Sequence, residues 1–239
     1  MQSEKQPSFG EAVLFGSQFH STTVIALAIV CSSEHRLTMS WIKTVSAAEA
    51  DKRLKTLYDR IAGPDGQVDN ILEAHGLRPH TLEGHMALYK SVLHHFRNTL
   101  EKSYLETIGV WVSRLNGCDY CVEHHFSGLV RLLDDAERSV QIRAAIDGAD
   151  LTGAFSGRDL AGLRYAEKLT RDPAAMQADD VTALRDAGFD DGQILEINQV
   201  VAYFCYANRT VLGLGVSHIG ETLGLSPGDS DDPDNWGHA

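Results

Sequence analysis

Residues 114–129 read RLNGCDYCVEHHFSGL. The Asn116-Gly117 pair is a helix stop, because glycine readily takes the left-handed conformation that closes a last turn. Two cysteines three apart follow at once, then two adjacent histidines and an apolar residue at helical spacing, so a second helix opens at Cys118. The stretch is a junction between two helices with thiols at the start of the second one.

The same periodicity extends outward in both directions. Leu105, Ile108, Val112 and Leu115 form an apolar stripe that runs into the junction, and Leu82, Met86, Tyr89, Leu93 and Phe96 form another after Arg78-Pro79. Earlier, SAAE at 46–49 has the spacing of a capping box, Leu54, Leu57, Tyr58 and Ile61 follow, and GPDG at 63–66 ends that segment. Downstream, DDAERSVQIRAAI at 134–146 and SGRDLAGLRYAEKL at 156–169 predict two more helices. A long apolar one starts where Asp190 and Gln193 stand at capping-box spacing. No stretch offers a series of alternating strands, so the expected fold is all-α, a single helical domain over 39–225 with the C-x-x-C helix at its core. SPGDSDDPDNWGHA at 226–239 is rich in Asp, Pro and Gly and is expected to be an acidic disordered tail.

Residues 1–38 form an N-terminal extension without a clear pattern. Its apolar run, Val24 to Cys31, is far shorter than the roughly 20 residues that cross a bilayer. It also lacks the basic flank and the cleavage site of a signal peptide. A short element packed on the domain is the expected role, with Met39 a candidate start of the native chain. The 239 residues are 43% apolar and 23% charged, ordinary for a globular protein with a real core. A net charge of −12 argues against nucleic acid as a partner, since binding it needs a basic face. Of four cysteines, Cys31 and Cys205 are isolated, so the chain is no disulfide scaffold. A local C-x-x-C in a reducing compartment signals metal or redox chemistry, and a cytoplasmic location is expected.

Helix geometry separates the candidate residues. Cys118, nearest the helix end, meets free amides and the positive end of the dipole, which favour a thiolate. His125 lies four residues beyond Cys121, on the same face, while His124 is turned away by about 100° toward a surface or interface. If the reaction is with a peroxide, protons must leave the thiol and reach the departing oxygen, so the cysteine beside an acid-base residue is the better attacker. That assigns attack to Cys121 and resolution to Cys118.

Glu106, Cys118, Cys121 and His125 complete an E-x11-C-x2-C-x3-H run that resembles the signature of the alkylhydroperoxidase D family, within the carboxymuconolactone decarboxylase-like superfamily. SWIKTVSAAEA, LYDRIAG, VSRLNGCDYC and ANRTVLGLGV resemble its peroxidase-related branch, and the likeness spans roughly Trp41 to Leu225. The resemblance implies an all-helical subunit in a homo-oligomer, commonly a trimer or hexamer, that reduces a peroxide substrate without haem, metal or other bound cofactor. It implies that Cys121 becomes a sulfenic acid, that Cys118 condenses with it, and that His125 and Glu106 relay the proton. An external dithiol, possibly a lipoyl group on a reductant protein, would restore the pair. Tyr120 stands where well-studied members usually place a histidine.

Other uses of the same residues stay open. Glu106 follows Ser103 at capping-box spacing. A zinc site built on Cys118, Cys121 and His125 lacks an evident second ligand pair. Decarboxylase or lactone-processing chemistry, or redox sensing without catalysis, are further alternatives. His80, His85, His94, His95 and His124 are expected in packing or surface roles, Cys205 as a small apolar residue, and Arg209, beside Asn208, as a buried cation paired with an acid. No membrane partner is expected.

Overall fold

The computed structural model describes residues 39–228, 230–232 and 234–238. The N-terminal extension at 1–38, with its apolar run, lies outside the described residues. The order of elements is α1 (Lys52–Ile61), α2 (Asn70–Glu73), α3 (Pro79–Leu93), α4 (Lys102–Leu115), α5 (Asp119–Leu133), α6 (Ala136–Asp147), α7 (Gly157–Arg171), α8 (Ala178–Asp186) and α9 (Asp191–Leu214), with single 3₁₀ turns before α7 and α8. Among the described residues there is no strand, only an isolated bridge between Pro227 and His238. The all-α expectation is met. No helix among these residues is long and apolar enough to cross a membrane.

Helix starts follow local chemistry, with two departures from expectation. Asp190 and Gln193 do form a reciprocal capping box at the start of α9. Ser46 and Glu49 instead close a turn, and α1 starts later, where the Asp51 carboxylate accepts the Leu54 amide at 2.8 Å. Asp51 holds a free amide of the first turn directly, which Ser46, six residues before the helix, could not. The stripe ending at Phe96 also overruns: α3 stops at Leu93, and Phe96 is exposed.

Helix α4 is the axis of the domain. Every residue from Leu105 to Ser113 is buried, as expected of a helix walled in on all sides, here mainly by α5, α7 and α9. The walls are tight. A Cβ on Gly109 would lie 2.1 Å from the Phe204 ring of α9. Alanine is the better helix former, by about 1 kcal/mol, but this overlap outweighs it. Gly109→Ala is expected to cost about 3 kcal/mol net and to lower Tm by roughly 6–12 °C in calorimetry. An unchanged Tm would show that Phe204 has room to move.

The expected disordered tail is the other correction. Its described residues fold back over α1 and α3. Trp236 is buried with the Arg60 guanidinium 4.0 Å from its ring centre, His238 Nδ1 donates to the Ile61 carbonyl at 2.8 Å, and the Lys90 ammonium donates to the Gly228 carbonyl. Upstream, Gly224 sits at φ +82° directly against α5, where a Cβ would come within 2.8 Å of the Gly128 nitrogen. Only glycine meets both demands. Two buried aromatic rings and a buried lysine supply what the acidic composition conceals.

Candidate active site

The junction folds as its sequence suggests. Gly117 takes φ +70°, and the Cys118 amide reaches back to the Ser113 carbonyl at 2.9 Å, closing α4 in a Schellman turn. Cys118 becomes the N-cap of α5, one residue before the first turn where it was expected, and Cys121 stands in that turn. Both are thiols and both are buried. They face different spaces. Cys121 lines a narrow chamber of about 40 Å³, together with Glu106, His125, His124, Tyr89, Tyr203, Asp69 and His238. Cys118 lies instead at the floor of an open groove of about 290 Å³ beside Trp41, Val211, Leu212 and Val216.

Acidity and access are divided between the two sulfurs. The Cys121 thiol donates to Cys118, and that bond holds Cys118 below the ordinary thiol range against the opposing effect of burial. The same bond, with burial added, pushes Cys121 well up. The first thiolate of this coupled pair therefore forms on Cys118, at the helix end, while the sulfur in the chamber keeps its proton.

A histidine stands on the same helix and lines the same chamber. His125 Nδ1 is 2.8 Å from Glu106 Oε2, and the Glu106 side chain is only 3% exposed. A carboxylate at that distance takes the Nδ1 proton in a hydrogen bond and leaves Nε2 as the acceptor. The Phe204 and Tyr89 rings meet His125 edge-on and fix its plane. Glu106 does not complete a capping box with Ser103, because α4 starts after Glu101 and Ser103 lies inside its first turn. Oε1 of Glu106 is 3.9 Å from His94, whose ring is pushed well below the usual range by burial and stays neutral. His85 is likewise driven down, to about 3, first by burial and then by His75, His238 and His125.

Two residues are placed differently from expectation. His124 is neither surface nor interface: its Nε2 lies 3.0 Å from Glu221 Oε1, and both side chains are buried. Arg209 is exposed and donates to the Cys205 carbonyl at 2.7 Å. The buried member of that pair is Asn208, which bridges Ser113 and Asn116 at 3.0 and 2.9 Å and offers its amide to both cysteines. His85 and His94 are buried, His80 is exposed, and Cys205 is half-buried against the core. Tyr120 accepts from the Ile71 amide and donates to Glu221 Oε2, each at 3.2 Å.

Sequence reasoning missed Asp69, Glu221, His238, Tyr89 and Tyr203 as chamber or near-chamber residues. None carries a local signal, since each reaches the site from another element. Among the described residues, no group of three His, Cys, Asp or Glu side chains is arranged to hold a metal ion.

Residues 79–168, from α3 through most of α7, match the carboxymuconolactone decarboxylase family. The fold is similar to that of an alkylhydroperoxidase AhpD core, a peroxidase-related protein of Ralstonia eutropha JMP134, at TM-score 0.66 and 23% identity, over 77% of this chain and 94% of that one. A peroxidase-related protein of Silicibacter sp. TM1040 matches at TM-score 0.59 and 24% identity, over 78% and 93% of the two chains. The debrominase Bmp8 shares the fold at TM-score 0.59 and 16% identity, over 74% and 91%. No curated protein matches the chain at a significant level.

Proposed function

We propose that this chain, whose residues 79–168 match the carboxymuconolactone decarboxylase family and whose fold is AhpD-like, is a thiol-dependent peroxidase that cycles Cys121 and Cys118 between dithiol and disulfide. The observation that carries the proposal is the chamber: the one sulfur that faces it lies on the same helix as a histidine held by a buried carboxylate. His125, oriented by Glu106, takes the Cys121 proton. The thiolate attacks the nearer peroxide oxygen, the O–O bond breaks, and Cys121 becomes a sulfenic acid while the other oxygen leaves as alcohol or water. The Cys118 thiolate then attacks the sulfenic sulfur and expels hydroxide, which is protonated to water. An external dithiol attacks the disulfide and restores both thiols, becoming oxidised itself. The open groove beside Cys118 is where such a reductant has access.

We further propose a homo-oligomer, in line with the family resemblance, and a cytoplasmic setting that keeps the pair reduced between cycles. Decarboxylase or lactone chemistry would leave two buried, coupled thiols without a task.

Chamber size bears on the substrate. A volume near 40 Å³ holds on the order of one or two water-sized molecules, so hydrogen peroxide fits and the organic part of a larger hydroperoxide needs more room than the chamber offers. The test is intact mass after brief, stoichiometric exposure of the reduced protein to hydrogen peroxide or cumene hydroperoxide. The expected result is loss of two hydrogens with both, faster with hydrogen peroxide. No mass change with either oxidant would sink the proposal.

A further inference from the structure

Besides His125 and Glu106, the chamber and its surround have groups with no task so far. There α2, α5 and the 221–238 segment bring Asp69, His124, Glu221 and His238 together. Most of these are tied down. Glu221 accepts the Asn70 amide at 2.6 Å and the Tyr120 hydroxyl at 3.2 Å and meets His124 at 3.0 Å, while His238 is bonded to the Ile61 carbonyl at 2.8 Å.

Asp69 differs. It is the N-cap residue of α2, yet its carboxyl takes no capping bond, and its nearest basic neighbour, His238 Nε2, is 3.8 Å away. Its backbone carbonyl, by contrast, accepts the Leu72 and Glu73 amides, so the side chain is dispensable to the turn. A chamber this small brings any occupant that touches Cys121 against its walls, and Asp69 is one of them.

Burial raises the Asp69 carboxyl to about 7, with His124 opposing the rise and Glu221 adding to it. Tyr89 on α3 and Tyr120 on α5 also interact with it, and burial raises both phenols well above their usual range and keeps them neutral; Glu73 on α2 is itself raised, by burial and then by Glu221. A carboxyl so placed still carries a proton at neutral pH and can part with it.

We propose that Asp69 is the catalytic acid of the peroxidase reaction. As Cys121 attacks and the O–O bond breaks, two electrons pass from sulfur to the peroxide, and the departing oxygen takes the Asp69 proton and leaves neutral. The proton that His125 removed from Cys121 returns to solvent, and Asp69 is reprotonated from the same pool, so the sum is thiol plus peroxide giving sulfenic acid plus alcohol or water.

The inference rests on the peroxidase proposal and is tested by leaving-group chemistry. Reduced full-length wild type and Asp69→Asn are mixed rapidly with hydrogen peroxide or with peracetic acid, and sulfenic acid formation is timed. Hydroxide is a strong base that needs a proton as it leaves, whereas acetate does not. The variant is expected to react about 100-fold more slowly with hydrogen peroxide and within a few-fold of wild type with peracetic acid. Equal slowing with both oxidants, or none with hydrogen peroxide, would overturn the assignment while the peroxidase proposal stood. Wild type oxidised by neither would overturn both. Asp69→Ser, read by the same ratio of rates, replaces the amide variant if that one does not fold.

Discussion

Cys121→Ser is expected to lose peroxide-driven oxidation by at least about 10³-fold, the scale seen when a reacting nucleophile is removed. The Cys118→Ser partner should behave differently, stopping at a one-oxygen adduct on Cys121 that no neighbouring thiol can resolve. The reason is positional. Of the two thiols, Cys121 borders the chamber, whereas Cys118 is buried beneath the separate groove on the other side. Acidity points the other way, because the hydrogen bond between the thiols places the first thiolate on Cys118. The two variants therefore ask whether access or acidity governs attack. Mass spectrometry of the singly oxidised variants decides it: an adduct on Cys118 in Cys121→Ser, with none on Cys121 in Cys118→Ser, would reverse the roles.

The second large effect is expected at Glu106. In Glu106→Gln the amide has nearly the shape of the carboxylate but no charge, and its NH₂ can donate to His125 Nδ1, leaving the proton on Nε2. The histidine then presents a donor where Cys121 needs an acceptor. Single-turnover oxidation by hydrogen peroxide should slow by about 10²–10⁴-fold. Folding should survive the change, because a buried carboxylate is exchanged for a neutral group that needs less solvation. A rate within a few-fold of wild type, in a variant that melts normally, would remove Glu106 from the relay.

The helix starts show how far a local pattern reaches. The junction around Asn116-Gly117 was legible because stop, turn and restart are encoded within six residues, and the cap of α9 because Asp190 and Gln193 are three apart. The four residues Glu106, Cys118, Cys121 and His125 belong to that legible part, since they lie on two successive helices joined by one turn. His124 shows the limit. Its angular offset from His125 follows from helix geometry, but what it meets on that side is Glu221, 97 residues later. Asp69 sits before a helix of four residues, too short for periodicity to register. The tail misled for a related reason: Asp, Pro and Gly describe a solvated chain, and Trp236 and His238 find their partners on α1, with His238 and Ile61 177 residues apart.

That long-range closure means the Cys121 thiol is made well before it is shut in. Cys121 is in place once α5 folds against α4, whereas Gly224, Leu225, Ser226 and His238, which wall its chamber, come about a hundred residues later. At synthesis rates of about 5–20 residues per second, the 24 residues from Leu214 to His238 take roughly 1–5 s, during which a nascent chain carries Cys121 without that wall. Protection from unintended oxidants is in this sense acquired in time as well as in space. The newly made molecule passes through a short interval in which the sulfur lacks the wall that later narrows its surroundings to a chamber of about 40 Å³.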